Sequence, residues 1–502
     1  MFYQNPIIRG FYPDPSICRV GNKYYLVCSS FQYFPGVPLF ESEDLLNWEQ
    51  IGYCLTRTSQ LNLQDERASG GIYAPTLRYC DGRFYMVTTN VHTGNFYVWT
   101  DDIYGEWSDP VFVEQGGIDP SLFFEDGKAY FISNGKSDDG VTGITQCEID
   151  IETGKKLTPG RNIWCGTGGR FLEGPHLYKI GKAYYLMAAE GGTEYGHMVV
   201  YAKSDSPYGP FEGYSANPVL TNRDKGGYPV QGVGHADLVQ DFSGNWWLVH
   251  LAFRQIGYFD MYHHLGREVF LTPVTFADNG WFTAGENGTA VRKVETNRIS
   301  DTVVQNRKEV YTFSNTSFQK DWCMLRTPAS ENYQFTAEEL RLTGTAVTLS
   351  ACGSPTFLGL RQKEMTAQIS CEISVPKGEA GVTLYMDENH HYDLAVQQTE
   401  SGTQLLKRVC VGDIQYIPLT ESLPKTAAPV TLQITASPNN YTFCVQIGEK
   451  AYSFGQNQTK YLSTEVAGGF TGVMIGLYAQ GEQQSCGKPA VFRNFSCVYE
   501  KP

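Results

Sequence analysis

Asp14, Asp119 and Glu173 occupy corresponding places in three copies of a repeated segment, and His235 occupies that place in a fourth. Three carboxylates gathered on one water-accessible channel cannot all ionise without cost, so at least one is expected to keep its proton above the usual carboxylate range. Such a pocket holds an acid and a base together. Cleavage of a glycosidic bond needs this pair: a protonated carboxyl to donate to the leaving oxygen, and an ionised one to activate water or attack the sugar. Glu has the longer reach, which suits Glu173 to protonating a leaving group. The shorter Asp14 suits the water.

The repeat that must position these groups occurs five times in the first 270 residues. Asp14-Pro-Ser-Ile precedes Gly21-Asn-Lys-Tyr-Tyr-Leu-Val, and Ala74-Pro-Thr-Leu precedes Gly82-Arg-Phe-Tyr-Met-Val. Asp119-Pro-Ser-Leu precedes Gly127-Lys-Ala-Tyr-Phe-Ile, Gly174-Pro-His-Leu precedes Gly181-Lys-Ala-Tyr-Tyr-Leu, and His235-Ala-Asp-Leu precedes Gly244-Asn-Trp-Trp-Leu-Val. Each copy reads as a hairpin, with Gly at the turn and aromatic residues for the core. The copies recur at roughly 45 to 65 residues, the length of one four-stranded blade with its loops. The expectation is a five-bladed β-propeller. The first strand of each blade lines the central channel, so Asp14, Ala74, Asp119, Glu173 (one residue before the aligned Gly174) and His235 converge on one axis. A single Asp-Pro-Ser is ordinary turn chemistry; two in equivalent repeat positions are harder to assign to turns alone.

A chain of 502 residues is too long for one compact core. The 14% aromatic residues, 52 Gly and 24 Pro, with almost no run of helical periodicity, point to an all-β protein. After Leu265-Gly-Arg-Glu-Val-Phe-Leu and Asp278-Asn-Gly-Trp-Phe, a polar stretch at 296–307 reads as a linker. Longer alternating strands follow: Met365-Thr-Ala-Gln-Ile-Ser-Cys-Glu-Ile-Ser-Val, Gly381-Val-Thr-Leu-Tyr-Met, Pro429-Val-Thr-Leu-Gln-Ile-Thr-Ala and Gly472-Val-Met-Ile-Gly-Leu-Tyr. They predict an antiparallel β-sandwich of the jelly-roll, concanavalin-like kind. The domains expected are a propeller over residues 1–300 and a sandwich over 301–502.

The net charge of −14 argues against a nucleic-acid or anionic-membrane partner, since both require a basic face. The 13 cysteines form no CxxC pattern and often sit at apolar strand positions, as Cys28, Cys371, Cys410 and Cys444 do, so they read as reduced core residues. With no leader pattern in Met-Phe-Tyr-Gln-Asn-Pro-Ile-Ile-Arg-Gly, a reducing, cytoplasmic setting is expected.

Several of these segments together resemble glycoside hydrolase family 43, in its two-domain β-xylosidase and α-L-arabinofuranosidase branch. They are Asn5-Pro-Ile-Ile-Arg-Gly-Phe-Tyr-Pro-Asp-Pro-Ser-Ile, Ser30-Phe-Gln-Tyr-Phe-Pro-Gly-Val, Ser42-Glu-Asp-Leu-Leu-Asn-Trp, Ser69-Gly-Gly-Ile-Tyr-Ala-Pro, Gly117-Ile-Asp-Pro-Ser-Leu, Glu173-Gly-Pro-His-Leu, Gly234-His-Ala-Asp-Leu and Leu265-Gly-Arg-Glu. The resemblance implies an inverting, exo-acting hydrolase that removes a pentose from the non-reducing end of a small oligosaccharide. It implies Asp14 as general base, Glu173 as general acid, and Asp119 as the carboxylate that orients the acid and raises its pKa. It also implies that Arg267 contacts sugar hydroxyls, that Phe31, Tyr73 and Thr193 line the sugar subsite, and that Phe470 of the sandwich closes it. His235 matches a family histidine below the centre that bonds through water or ligates a divalent cation, commonly calcium. No cofactor is required, a structural calcium is possible, and a homo-oligomer is possible.

One departure concerns Tyr73, where typical β-xylosidases of the branch carry Trp; the smaller ring makes arabinofuranose more plausible. Three other readings compete. A non-catalytic carbohydrate-binding propeller has no need of all three carboxylates. A retaining fructosidase-type propeller would carry Asn-Asp-Pro-Asn and Arg-Asp-Pro motifs, which are absent. An endo-arabinanase of the same family would want an open cleft, whereas the Ser30-to-Val37 insertion and the extra domain favour a pocket for one sugar.

Overall fold

The aromatic pairs that follow each turn glycine explain why this chain builds blades. Along a strand successive side chains point to opposite faces, and in Tyr24-Tyr25-Leu26-Val27 both faces are apolar. Tyr24 and Leu26 pack with Trp247, Val249 and Leu271 of the fifth repeat, while Tyr25 and Val27 pack with Leu77, Phe84 and Met86 of the second. Tyr85 and Val87 then meet Leu122 and Phe131; Tyr130 and Ile132 meet Tyr184 and Leu186; Tyr185 and Met187 meet Leu238, Leu248 and Phe270. Each hairpin thus supplies half of two cores, which is why it reads as a continuous apolar run rather than an alternating one. At roughly 1.5–3 kcal/mol for each large side chain removed from water, these interfaces hold the ring together.

The computed structural model describes residues 1–299, 303, 305, 309–313, 318–336, 338–400, 402–423, 429–481 and 483–499; the junction expected between 300 and 301 lies outside the described residues. Five antiparallel sheets of four strands, one of them with an added short strand, have as innermost strands Ser16–Val20, Thr76–Cys80, Ile118–Glu125, Glu173–Ile180 and Val230–Gln240. Each innermost strand touches the next, and Val230–Gln240 returns to Ser16–Val20 to close the ring. The start of the chain is tied into the closure: Phe2–Gln4 pairs with Lys293–Glu295, and Ile8 bridges Val269 of the fifth blade. The five turn glycines all have left-handed φ, from 58° at Gly21 to 87° at Gly82, a conformation glycine adopts without a Cβ penalty.

Beyond the propeller lie an eight-stranded and a six-stranded sheet. Leu358, Val382, Leu384 and Leu394 of the six-stranded sheet face Leu432, Ile434, Phe443 and Phe492 of the other across the sandwich core. The alternate residues of that sheet, Phe357, Tyr385, Ala395, Leu406 and Met474, form a second cluster with Phe11, Phe31 and Tyr33 of the propeller. The inner strands of the six-stranded sheet are therefore buried on both faces, while its edge strand Ile414–Leu423 stays exposed, and the outer face covers the end of the propeller from which the Ser30–Val37 excursion rises. That excursion pairs through Tyr33–Phe34 with Met324–Leu325.

Candidate active site

The local backbone explains where the reactive side chains stand. Asp14 (φ 56°), Asp119 (φ 52°), Gly174 (φ 59°) and His235 (φ 45°) share a left-handed conformation at the same point of four repeats. Asp and His tolerate that region better than most residues. The ladders slip there, between Ile118 and Ser121, between Glu173 and His176, and between Gly234 and Ala236, and such bulges re-aim side chains. In the fourth blade a Cβ at position 174 would stand 3.0 Å from the His235 ring. Glycine fills the slot, and the carboxylate comes from the preceding Glu173.

Asp14 is buried, and each of its oxygens accepts one hydrogen bond. The Ser29 hydroxyl donates to its Oδ2 at 2.5 Å, Arg267 Nη1 donates to its Oδ1 at 2.9 Å, and His235 Nδ1 lies 3.9 Å from the same oxygen. Burial alone would raise its pKa, but the Arg267 guanidinium, with His235, Ser29 and His197, outweighs it and holds the carboxyl below the usual aspartate range. Asp14 is ionised at neutral pH.

Glu173 has the opposite environment. Burial, then the negative charge of Asp14, push its pKa up to about 7 against the opposing pull of Arg267. His197 is fully buried; burial lowers its pKa to about 3, so the ring is neutral. Its Nδ1 lies 3.3 Å from the Gly232 carbonyl and must carry the proton, which leaves the Nε2 lone pair 3.9 Å from Glu173 Oε1. A lone pair there favours the protonated carboxyl over the carboxylate. Asp119 is itself pushed up to about 7 by burial and, against His235, by Glu173 and Asp14. The charge that adds to burial at Glu173 is thus that of Asp14. Asp119 acts on the acid's backbone: its Oδ2 accepts the Gly174 N–H at 3.1 Å and fixes the strand start that carries Glu173.

These directions predict a pH profile. Asp14 must be ionised and Glu173 protonated, so kcat/KM on a substrate with a poor leaving group is expected to hold through the weakly acidic range. It should fall as pH rises through about 7, where Glu173 loses its proton. An initial-rate profile that climbs through that range would contradict the assignment.

Arg267 links base to sugar wall. Its Nη1 also donates to Thr193 Oγ1 at 2.7 Å, and its buried Nη2 has no partner among the described residues. Its Cζ lies 5.0 Å from the centre of the Phe470 ring and 5.8 Å from that of Phe31. Phe470 comes from the sandwich, stacks on Phe31 at 5.3 Å and meets Tyr73 edge-on at 5.6 Å. Its backbone is held from the propeller, since Phe470 N donates to Ser69 Oγ at 2.8 Å. Phe31, Tyr73, Thr193, Arg267 and Phe470, drawn from both domains, therefore meet beside Asp14.

Several residues of this centre were not singled out from sequence. Ser29 adjoins and Asp237 lies inside a motif quoted above, and His197 follows Thr193 by four residues, but the repeat alignment marks only one slot per blade. Two residues further down each strand, Asp237 is paired with Arg78 at 2.9 Å and accepts from Ser16 and Tyr178, both at 2.6 Å. It forms a neutralised floor beneath the reactive layer. Glu465 had no sequence signal: on the short helix Thr464–Ala467 it accepts from Tyr195 Oη and pairs with His263 Nδ1, both at 2.8 Å, which pins the Thr193 loop to the sandwich.

His235 offers one imidazole beside carboxylates already engaged elsewhere. Among the described residues no group of three or more His, Cys, Asp or Glu side chains is disposed to hold a metal ion. A hard cation prefers six or more oxygen ligands, so this donor set does not fit a resident calcium, and no step below passes through one.

Comparison with known proteins bears on this centre. The model of glycosyl hydrolases family 43 matches residues 3–282, and that of the beta-xylosidase C-terminal concanavalin A-like domain matches 310–497. A non-reducing end alpha-L-arabinofuranosidase of Bacteroides ovatus is 40% identical over 99% of this chain and 95% of its own length. A xylosidase/arabinosidase of Butyrivibrio fibrisolvens is 38% identical over 95% of both chains. Among solved structures, a xylan beta-1,4-xylosidase from Bacillus halodurans superposes with a TM-score of 0.91 at 31% identity, over 99% of this chain and 100% of that one.

Proposed function

Because the chain belongs to glycosyl hydrolase family 43, we propose that its centre hydrolyses a terminal α-L-arabinofuranosyl bond, with β-D-xylosyl bonds as a second substrate, in small oligosaccharides of hemicellulose type. The protein is an exo-acting glycoside hydrolase. The observation that carries the substrate reading is the wall of Phe31, Tyr73 and Phe470 packed beside Arg267, which holds Asp14: aromatic faces next to an ionised base suit the CH face of a terminal sugar. The unpaired Arg267 Nη2 supplies a donor for a sugar hydroxyl.

In the proposed mechanism Asp14 accepts a proton from a water that attacks the anomeric carbon. The glycosidic bond breaks as Glu173 gives its proton to the leaving oxygen. The products are a pentose of inverted anomeric configuration and the shortened oligosaccharide. Asp14 leaves the step protonated and Glu173 ionised, and exchange with solvent restores both. Asp119 keeps Glu173 in place through the Gly174 N–H, and burial beside Asp14 keeps it protonated.

Arabinofuranose is preferred because Tyr73 is smaller than the Trp of the branch's typical xylosidases, and because the Bacteroides ovatus relative is an arabinofuranosidase. The two pentoses are isomers that differ in ring size and configuration, and a methylene-scale difference in an apolar pocket discriminates by only about 1–3 kcal/mol, so both activities are expected in one site. The test is the ratio of kcat/KM for 4-nitrophenyl α-L-arabinofuranoside and β-D-xylopyranoside, with the Asp14→Ala protein as blank. A ratio above one, with measurable xyloside turnover, is expected. Rates at the level of the blank on both would restore the binding-module reading.

A reducing compartment is part of the same proposal. The twelve cysteines other than Cys486 are free thiols and Cys165 is the exposed one among them, which supports it. Titration of the unfolded, unreduced protein should find thirteen thiols; fewer would argue for an oxidising one.

A further inference from the structure

Phe171 is an aromatic side chain left 62% exposed, two residues before Glu173. Two Cα steps span at most about 7 Å, so its backbone lies within one sugar's reach of the acid. The residue is also strained: φ is 53°, a left-handed conformation that is a true outlier for a bulky side chain, and such strain persists only where surroundings enforce it.

The surroundings do enforce it. Fully buried Glu190 accepts the Thr167 N–H at 2.6 Å and the Gly169 N–H at 3.2 Å, and takes the Thr167 hydroxyl as well, so it folds the 166–170 loop onto itself. Arg170 then stitches that loop to the neighbouring one. Its Nε donates to the Gly191 carbonyl at 2.9 Å, its carbonyl accepts the Gly191 N–H at 2.8 Å, and its guanidinium pairs with Glu194. The Phe171 ring lies against Gly192, where a Cβ would stand 3.0 Å from it, with Arg170 Cζ 5.4 Å from the ring centre. The next residue, Thr193, is the one bonded to Arg267. An apolar face is thus fixed in water on the wall shared by the acid and the sugar-binding arginine.

We infer that Phe171 is the platform for the leaving group: the sugar unit joined to the scissile oxygen lays its CH face on this ring while Glu173 protonates that oxygen. The inference rests on the reading of Glu173 as the acid. Its geometry is general, since the scissile oxygen must sit at the Glu173 carboxyl and the pentose released must lie on the side of that oxygen nearer Asp14. The unit leaving must pass the acid's immediate neighbours. Phe171 therefore sets preference for a sugar over a small alcohol as leaving group, and it contributes nothing to recognition of the pentose released.

The test compares Phe171→Ala and Phe171→Tyr with the wild-type enzyme on two substrates: methyl α-L-arabinofuranoside, whose methyl group cannot reach the ring, and an arabinofuranosyl-substituted xylotriose. Loss of one aromatic face is expected to lower kcat/KM on the oligosaccharide about tenfold, chiefly through KM, with the tyrosine variant near wild type. Turnover of the methyl glycoside should not change. Equal losses on both substrates would show that Phe171 only positions Glu173, and unchanged rates on both would show that no sugar rests there; either overturns the inference. Wild-type inactivity on both would instead count against the proposed hydrolase, which separates the two claims.

Discussion

Asp14→Asn is expected to lower kcat on the order of 10²–10⁴-fold on every pentoside, whether the leaving group is good or poor. The reason is positional. The Asp14 carboxylate is the one whose charge the fold stabilises, by Arg267 at 2.9 Å and Ser29 at 2.5 Å, and no leaving-group chemistry substitutes for activating the water. Asparagine removes the charge but keeps an acceptor oxygen for Arg267, whereas alanine would leave the buried guanidinium with neither anion nor acceptor there, at a cost on the order of 3–5 kcal/mol of stability. A melting curve close to wild type for the Asn variant, beside the kinetic loss, would assign that loss to chemistry. A loss confined to poor leaving groups would mean that Asp14 is not the base.

Glu173→Ala is expected to split substrates by leaving group. A 4-nitrophenolate departs without a proton, so its release should fall modestly; an oligosaccharide leaving as an unassisted alkoxide should fall by about 10²–10⁴-fold. The side chain is only partly enclosed, with 17% of its surface open, so its removal leaves the wall of Phe31, Tyr73 and Phe470 in place. The measurement is kcat/KM across a series of aryl glycosides of rising leaving-group pKa, extended to the oligosaccharide. A steep negative slope in the variant and a shallow one in the wild type is the expected pattern; equal losses along the series would remove Glu173 from the role.

The propeller was legible in the sequence because each blade repeats one physical solution. A strand on the axis, a Gly turn and an aromatic hairpin that feeds two cores leave the same trace five times, and a left-handed entry recurs in four of them. The carboxylates were legible for the same reason, since repeat alignment converts distance in sequence into proximity on an axis. Glu173 stands one place out of register, and the structure supplies the cause: the slot is left-handed and crowded by His235, so only Gly174 fits it.

What the repeat does not encode was not legible from it. His197 belongs to the loop that precedes the strand Met198–Ser204, and it reaches Glu173 because the Gly232 carbonyl orients its ring. Glu465 and Phe470 lie in another domain, and their places depend on the six-stranded sheet burying its second face against Phe11 and Phe31. A strand buried on both faces loses the alternation that would announce which residues look outward. Phe470 was found by resemblance, and Phe171 only from exposure, strain and its contact with Gly192.

The account's central claim is that Asp14 activates water and does not itself attack the sugar. The anomeric configuration of the first sugar released, followed by proton NMR within minutes of adding enzyme to an α-L-arabinofuranoside, tests it most directly. The account predicts β-L-arabinofuranose as the first product, before mutarotation. An initial α signal, or a covalent pentosyl ester on Asp14 trapped by mass spectrometry, would contradict it.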